Sequence, residues 1–353
     1  MLAEYQLIDS PMNTEPSEAT QFLEMLRRNG NVFDPRAHLT PLSGGVSSEL
    51  YLVEDGAEKF VVKRALPKLK VKDNWFADVS RNTSERNYLE YVGRLMPGAV
   101  PQLRFANPDA GYFGMEFLGE GFANWKQLLL AGDCRTEHAA LAGKILGEIH
   151  RRTSFNNALR KQFDTTANFH QLRLEPYLLT TGERHPELRD LFFTEAQRIE
   201  STRESLVHGD FSPKNILIRG DRMVLLDCEV AWYGEPAFDV AFCLNHLFLK
   251  SLHHAPKRLG IESMIAAFWC AYAEARLNGN SYPVEQRLIP LLLMLLLARV
   301  DGKSPAEYLT APKQQFIREF VHKYLPSPPK NLAHLSEIWF SQVFDSSPLP
   351  VTA

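Results

Sequence analysis

The sequence feature that most constrains the fold is a pair of short apolar runs joined by a polar turn in the second half of the chain. Residues 216–218 and 223–226 are apolar, and residues 219–222 supply the turn between them. Two β-forming runs separated in this way predict an antiparallel hairpin. Asn215 comes just before the first run and Asp227 just after the second, so strand pairing is expected to bring both side chains to the open end of the hairpin.

This open end is a candidate magnesium site. Magnesium prefers oxygen ligands, keeps several waters and takes further ligands from nucleotide phosphates, which suits Asn215 and Asp227. Asp210 lies five residues before Asn215 on the loop that enters the hairpin, where it could accept the proton of an attacking hydroxyl. The alternative is a chance acidic loop beside a buried hairpin, which the spacing of the whole set disfavours.

The order of elements along the chain predicts an α+β fold with two lobes. Short β-forming runs occupy residues 42–64, a helix is predicted at 80–95, and two further strands follow. From Thr136 onward, apolar residues recur mainly at three- and four-residue steps, as in helices. We therefore predict a small β-rich N-lobe with an N-terminal extension over residues 1–117, and a hinge followed by a larger, mostly helical C-lobe over residues 118–353.

Composition argues against several classes of function. The 39 basic and 42 acidic residues leave a net charge of −3, so no broad basic surface for nucleic acid or an anionic membrane is expected. The four cysteines are scattered without a CxxC pair, which argues against a disulfide framework or a structural zinc site. The N-terminus lacks the pattern of a signal peptide, and the apolar run Leu288–Ala298 is too short for a membrane span and predicts a buried helix. These features predict a cytoplasmic protein, and they leave open whether it forms a homodimer.

The motif around Asp210 resembles that of aminoglycoside phosphotransferases and choline kinases, which are relatives of the protein kinases. The shared pattern is His-Gly-Asp at residues 208–210, an Asn five residues later and a second Asp after a hairpin. The resemblance implies a bilobal protein-kinase-like fold and ATP-dependent transfer to a hydroxyl of a small molecule such as a sugar, polyol or amino alcohol. It also implies that Asp210 is the catalytic base and that Asn215 and Asp227 bind Mg²⁺.

Residues implied to bind ATP lie upstream, in the order that a kinase requires. A turn whose backbone amides are implied to cover the phosphates contains Gly44, Gly45 and Ser47. Lys63 is implied to reach the α- and β-phosphates, and Glu85 to orient Lys63, with Glu90 as the competing choice. Backbone groups of the hinge are implied to hydrogen-bond adenine, and the hinge residues are Glu116, Phe117 and Leu118.

A closer resemblance is to methylthioribose kinases. It is carried by residues 62–67, by Trp75 and by Asp-Cys-Glu at residues 227–229, where protein kinases have Asp-Phe-Gly. In this comparison Glu229 is implied to bind a second metal ion or a substrate hydroxyl, and a structural carboxylate is the alternative with equal weight.

One departure from that family concerns the substrate. Methylthioribose kinases use a pair of adjacent arginines in the C-lobe, whereas residues 298–301 here read Ala-Arg-Val-Asp and contain only Arg299. Arg299 and Asp301 are candidate substrate contacts. Because one guanidinium group is missing, we expect methylthioribose to be a poor acceptor.

Neighbouring residues are assigned supporting roles. Asp239 is predicted to brace the catalytic loop from the start of an apolar helix, and His208 to pack below that loop. Residues 169–177 are predicted to form one wall of the acceptor pocket.

Other functions remain as alternatives. A protein kinase is disfavoured because Asp-Phe-Gly is replaced and no Ala-Pro-Glu follows it. An aminoglycoside-type antibiotic phosphotransferase and a non-catalytic nucleotide-binding protein with a kinase fold stay open, since fold alone does not fix function. The presence of Lys63, Asp210, Asn215 and Asp227 together favours an enzyme.

Overall fold

A computed structural model describes residues 18–42, 48–65, 81–253, 258–277 and 282–345. Within these ranges, a five-stranded antiparallel sheet is followed by a larger and mostly helical part. The predicted succession of a β-rich lobe and a helical lobe is therefore confirmed. Residues that carried predictions but lie outside the described ranges are Gly44, Gly45, Ser47, Leu66, Pro67 and Trp75.

The N-lobe sheet has the strand order β1-β2-β3-β5-β4. Its strands are β1 (His38–Pro41), β2 (Ser48–Asp55), β3 (Glu58–Ala65), β4 (Leu103–Asn107) and β5 (Tyr112–Glu116). Two helices accompany the sheet, α1 (Glu18–Arg28) and α2 (Arg81–Leu95). Strands β2 and β3 form the hairpin predicted within residues 42–64, and Gly56 adopts a φ of +63° in the turn between them.

Strand β3 separates two apolar clusters because its side chains alternate between the faces of the sheet. Val62 packs on the outer face in a cluster that includes Phe22 and Leu26 of α1. Val61 faces the other way, into the main core, and belongs to the wall of the cleft below the sheet. Lys63, two residues after Val61, shares this inner face, so the pleat of the strand directs its charge into the cleft.

Short strands and many helices make up the C-lobe. The strands are β6 (Ala123–Asn124), β7 (Ser205–Val207), β8 (Ile216–Arg219), β9 (Arg222–Leu225) and β10 (Trp232–Gly234). The first helices are α3 (Trp125–Leu130), α4 (Thr136–Thr153), α5 (Asn157–Gln162), α6 (Thr166–Phe169), α7 (Thr180–Arg184) and α8 (Arg189–Ser201). The later helices are α9 (Ala237–His253), α10 (Arg258–Leu277), α11 (Tyr282–Asp301), α12 (Ala311–Tyr324) and α13 (Leu332–Asp345). A π-helical segment spans His170–Leu179, and a 3-10 turn spans Pro213–Asn215.

The predicted catalytic hairpin is formed by β8 and β9. Ile216 pairs with Leu225, and the amide of Leu226 donates a hydrogen bond to the carbonyl of Asn215 at 2.8 Å. This last bond closes the open end of the hairpin. It places Asn215 directly opposite the residue that precedes Asp227.

Helices α4 and α10 pack at the heart of the C-lobe with their backbones in close approach. A Cβ atom added to Gly143 of α4 would lie 2.1 Å from the carbonyl oxygen of Phe268 in α10. Helix α11 contains the run Leu288–Ala298, which is buried except for Pro290, as the sequence predicted. Within the described part of the chain, no helix is both long and apolar enough to cross a membrane.

Candidate active site

Lys63 stands at the centre of a buried group of charges between the lobes. Its Nζ lies 2.6 Å from Oε2 of Glu85 and 2.8 Å from Oδ1 of Asp227. Lys63 and Glu85 are only 3% and 2% exposed, so this contact is unlike a solvated surface pair. Glu90, the competing choice, instead pairs with Arg94 on the exposed side of α2. The geometry therefore joins Lys63 to Glu85.

The group of charges fixes the protonation of its members. Burial would lower the pKa of Lys63, but the carboxylates of Asp227 and Glu85 raise it well above its ordinary value. Burial would raise the pKa of Asp227, but the ammonium groups of Lys63 and Lys214 hold it below its ordinary value. For Glu85, burial dominates over the attraction of Lys63 and raises the pKa to about 7. At neutral pH, Lys63 is thus protonated and Asp227 ionised, while Glu85 is the carboxyl that most readily takes up a proton.

Asp227 has an unusual backbone conformation. Its φ is +60°, and among the described residues other than glycine only Phe155 shares a positive φ. Such conformations cost free energy and persist where the surrounding structure enforces them, often at functional sites. Here the hydrogen bond from Leu226 to Asn215 holds the adjoining backbone, and the side chain of Asp227 remains 36% exposed. The carboxylate is thereby presented to the cleft.

Oxygen donors in this part of the site fit a magnesium ion. Carboxylate oxygens of Glu85, Asp227 and Glu229 all lie within 4.8 Å of one another. The amide nitrogen of the Asn215 side chain donates to the carbonyl of Asp210 at 3.0 Å, which leaves its Oδ1 as the ligand atom. Glu229 is braced by the fully buried Arg81, with 3.2 Å between Oε2 and Nε. The clustered carboxylates, together with Asn215 at the same end of the hairpin as Asp227, supply oxygen atoms of the kind that Mg²⁺ prefers.

A cleft of about 650 Å³ adjoins these charges, a size that suits a small ligand. The predicted site residues that line it are Lys63, Glu85, Glu116, Phe117, Leu118, Asn215 and Asp227. Its apolar lining includes Leu50, Val61, Leu89, Met115 and Leu217. The amide of Glu116 already donates to Gln102 at 2.8 Å, whereas the amides of Phe117 and Leu118 make no backbone hydrogen bond within the described residues. These two amides are therefore the ones free to bind a ligand.

The loop that carries Asp210 is held in place by Asp239. Its carboxylate accepts hydrogen bonds from the amides of His208, at 2.7 Å, and Gly209, at 2.9 Å, as the sequence predicted. Gly209 has a φ of +77°, and a Cβ there would lie 2.6 Å from the carbonyl oxygen of Val230. Only glycine therefore fits this turn without movement of the backbone. The loop places Asp210 at a fixed position.

Asp210 is buried and carries two salt bridges to the same oxygen. Nη2 of Arg173 and Nζ of Lys214 each lie 3.0 Å from Oδ2. Oδ1 accepts no hydrogen bond from any residue in the described ranges. Burial would raise the pKa of Asp210, but Lys214 and Arg173 lower it below its ordinary value. The result is an ionised carboxylate with one oxygen committed to the protein and the other available to a substrate.

The sequence did not single out Arg173 or Lys214. Arg173 belongs to the π-helical segment, within the predicted pocket wall, and its guanidinium carbon lies 5.9 Å from the ring centre of Tyr177 and 5.6 Å from that of Phe242. No periodic pattern in the sequence signals such an arrangement. Lys214 lies inside the motif, one residue before Asn215, but residues 210–212 are not helical, so its spacing from Asp210 does not predict the salt bridge.

Arg299 and Asp301, the two C-lobe candidates for substrate contact, bind different residues. Nη1 of Arg299 donates to Oγ of Ser304 at 2.8 Å. The carboxylate of Asp301 binds Arg318, at 2.8 and 2.7 Å, and Nε2 of His185 at 3.0 Å. Asp301 is thus occupied in a separate ionic cluster, and the structure does not bring it together with the residues of the cleft.

Comparison with known proteins gives a family match over more than half of the chain. The model of the phosphotransferase enzyme family matches residues 38–256. Methylthioribose kinase of Pectobacterium atrosepticum is 23% identical over 275 residues, which cover 66% of this chain and 65% of that protein. Methylthioribose kinase of Erwinia tasmaniensis is 24% identical over 264 residues, with the same coverage of 66% and 65%. The chain thus spans 65% of the length of these two curated relatives.

Among solved structures, an amicoumacin kinase in complex with AMP-PNP, Ca²⁺ and Ami superposes with a TM-score of 0.57 at 13% identity. The superposition covers 89% of this chain and 96% of that one. It confirms the predicted bilobal protein-kinase-like fold. Because the family match covers more than half of the chain, this protein belongs to the phosphotransferase enzyme family.

Proposed function

We propose that this protein transfers the γ-phosphoryl group of ATP to a hydroxyl group of a small metabolite. The observation that carries the proposal is the meeting of Lys63, Glu85 and Asp227 at the cleft, with the half-free carboxylate of Asp210 on the adjoining loop. The match to the phosphotransferase family and the likeness to methylthioribose kinases support it. Residues 1–117 and 118–353 are proposed as the two lobes that enclose ATP.

Nucleotide binding is assigned to the cleft between the lobes. The amides of Phe117 and Leu118 would bind adenine, and Lys63, oriented by Glu85, would bind phosphate oxygens. Mg²⁺ held by Asn215 and Asp227, with Glu229 beside them, would neutralise charge on the phosphates.

In the transfer step, the acceptor hydroxyl oxygen forms a bond to the γ-phosphorus while the bond from that phosphorus to the bridging oxygen of ADP breaks. Oδ1 of Asp210 orients the hydroxyl and takes its proton, so the products are ADP and a phosphate monoester. The lowered pKa makes Asp210 a weak base, which suits a loose transition state in which the nucleophile loses its proton late. Lys214 and Arg173 fix the carboxylate, and positioning and charge neutralisation supply most of the acceleration.

The test is Asp210→Asn, which keeps the shape of the side chain and removes the proton acceptor. We expect ATP binding to be retained and phosphoryl transfer to fall by about 10²–10⁴-fold. Asp221→Asn, at the other end of the same hairpin and exposed, is the matched control and should leave transfer unchanged. Near-normal turnover of a folded Asp210→Asn protein would refute the assignment of the base.

A further inference from the structure

One face of α9 leads away from the catalytic carboxylate and ends at a buried lysine. Phe242, His246 and Lys250 follow one another at four-residue steps and therefore share this face. Phe242 lies next to Arg173, the residue that binds Asp210, and its ring centre is 5.6 Å from that of His246. Contacts thus run from Asp210 through Arg173 and Phe242 to His246, and Lys250 lies one helical turn further along the same face.

Lys250 is buried and has no anionic partner among the described residues. It is 1% exposed, its Nζ lies 5.1 Å from the ring centre of Tyr308, and it makes no hydrogen bond or salt bridge within the described ranges. The hydroxyl of Tyr308 and Nε of Arg299 are also buried and have no hydrogen-bond partner among the described residues. Buried polar groups are almost always paired, since an unpaired one costs free energy. The Tyr308 hydroxyl and Nε of Arg299 therefore lack an acceptor among the described residues, and Arg299 is close enough for its charge to act on both Lys250 and Tyr308.

The charged groups around His246 and Lys250 are almost all positive. His246 is 9% exposed, and its pKa is lowered well below its ordinary value by burial and then by neighbouring cations. In decreasing order of effect, these cations are Arg299, Lys250, Lys214 and Lys126. The groups that act on Lys250 with the opposite sign are Cys243 and the exposed Glu307. Lys126 also lines the nucleotide cleft, so the cationic region adjoins the place where phosphoryl transfer is proposed to occur.

We propose that the acceptor of this enzyme carries an anionic group, a carboxylate or a phosphate, in addition to the hydroxyl that is phosphorylated, and that Lys250, Arg299 and Tyr308 bind this group. This inference rests on the proposed function in one respect, which is that the bound anion is identified as the phosphoryl acceptor. In the reaction, the anionic group stays unchanged while the hydroxyl takes up the phosphoryl group. Aminoglycosides and choline are cations, so the same charges disfavour them.

Binding of matched pairs of compounds tests the anion site independently of turnover. The pairs are glycerate with glycerol and ribose 5-phosphate with ribose, measured by calorimetry at constant ionic strength with a non-hydrolysable ATP analogue present. We expect at least one anionic member to bind about 10- to 100-fold more tightly than its neutral partner, as expected for charge-assisted hydrogen bonds. A preference for glycerate identifies a hydroxy acid, and a preference for ribose 5-phosphate identifies a sugar phosphate.

Lys250→Met removes the charge and keeps most of the apolar stem. We expect it to abolish the preference for the anion and to leave nucleotide binding intact. Lys144→Met, which removes an exposed charge from α4, should change neither the preference for the anion nor nucleotide binding. If Lys250→Met does not fold, Tyr308→Phe removes only a hydroxyl and should weaken anion binding by about 3-fold.

Three results would overturn the inference: equal binding of the anionic and neutral members of both pairs, a preference for the anion that persists in Lys250→Met, or tighter binding of an aminoglycoside such as kanamycin. Transfer to the same compounds is then measured as ADP formation. Anion binding without transfer to any compound would count against the proposed function and leave the anion site standing. Transfer to the neutral compounds but not to the anionic ones would support the proposed function and count against the anion site.

Discussion

Replacing Lys250 by Met is expected to stabilise the protein by an amount that depends on pH. Burial, followed by the charges of Lys126 and Arg299, lowers the pKa of Lys250 from 10.5 to about 7, against the opposing effects of Cys243 and Glu307. A lysine whose pKa is lower in the folded state than in the unfolded chain destabilises the fold wherever the unfolded chain would protonate it. Methionine fills a similar volume and carries no charge.

The magnitude follows from the two pKa values. Between them the unfolded chain binds a proton that the folded protein does not, so the contribution of Lys250 to stability rises with pH by about 1.4 kcal/mol per pH unit. Integrated over pH, the cost of the lysine is about 4 kcal/mol at pH 7 and about 2 kcal/mol at pH 9, and it is nearly gone above pH 11. With an unfolding entropy of about 2.1 cal/mol/K per residue, 4 kcal/mol in a chain of this length corresponds to about 5 °C in Tm.

The assay is thermal unfolding of wild type and Lys250→Met at pH 7 and pH 9, with Lys144→Met as the control for loss of a surface charge. We expect the Tm of Lys250→Met to exceed that of wild type at both values, with the smaller difference at pH 9. A lower Tm for the variant, or a difference that does not change with pH, would refute the view that Lys250 is an unpaired buried charge. Higher stability together with lost anion binding would show that the lysine is kept for binding rather than for folding.

Changes at the cleft and at the catalytic loop have equally specific expected outcomes. Asp227→Ala should weaken calorimetric binding of magnesium–ATP about 10-fold or more while leaving adenosine binding intact, and equal losses for both would indicate collapse of the pocket. Gly209→Ala should lower kcat by about 100-fold with ATP affinity retained, because the added Cβ meets the backbone of Val230 and displaces Asp210; an unchanged kcat would show that the loop yields without cost. Methylthioribose should have a kcat/KM about 10- to 100-fold below that of the best acceptor, because Val300 is buried and cannot replace a second arginine beside Arg299. If methylthioribose is the best acceptor, the specificity argument is wrong.

Local patterns were sufficient to predict the hairpin that carries the candidate metal ligands. The distance from Asn215 to Asp227 along the chain matches two short strands and a turn, and antiparallel pairing then leaves little freedom in where the two residues meet. The contact between Lys63 and Glu85 could be predicted in the same way, because one strand and the helix after it carry both residues. The choice of Glu85 over Glu90 needed the structure, since both glutamates lie on α2 and only the packing of that helix decides which one faces the cleft.

The surroundings of the acceptor could not be predicted from local patterns. Arg173 reaches Asp210 from a π-helical segment, whose irregular pitch leaves no periodic signal. Lys250 stands in the apolar helix α9, where a lone lysine has the appearance of a polar interruption near a helix end. Its significance depends on Arg299 and Tyr308, which lie about fifty residues further along and meet it only in the folded chain. Spacing alone also did not show that Asp301 is committed to Arg318.

The salt bridge between Lys63 and Asp227 has a consequence for the proposed catalytic cycle, because its two residues belong to different lobes. It tethers the β-rich lobe to the helical lobe across the cleft. If ATP binds as proposed, its phosphates would give Lys63 a further anionic partner in the cleft, and the lobes would remain drawn together. Release of ADP would then require the lobes to separate, which leaves the charges of Lys63 and Asp227 without each other as partners. We therefore expect lobe opening to be slower than phosphoryl transfer, and a burst of ADP formation in the first turnover would reveal it.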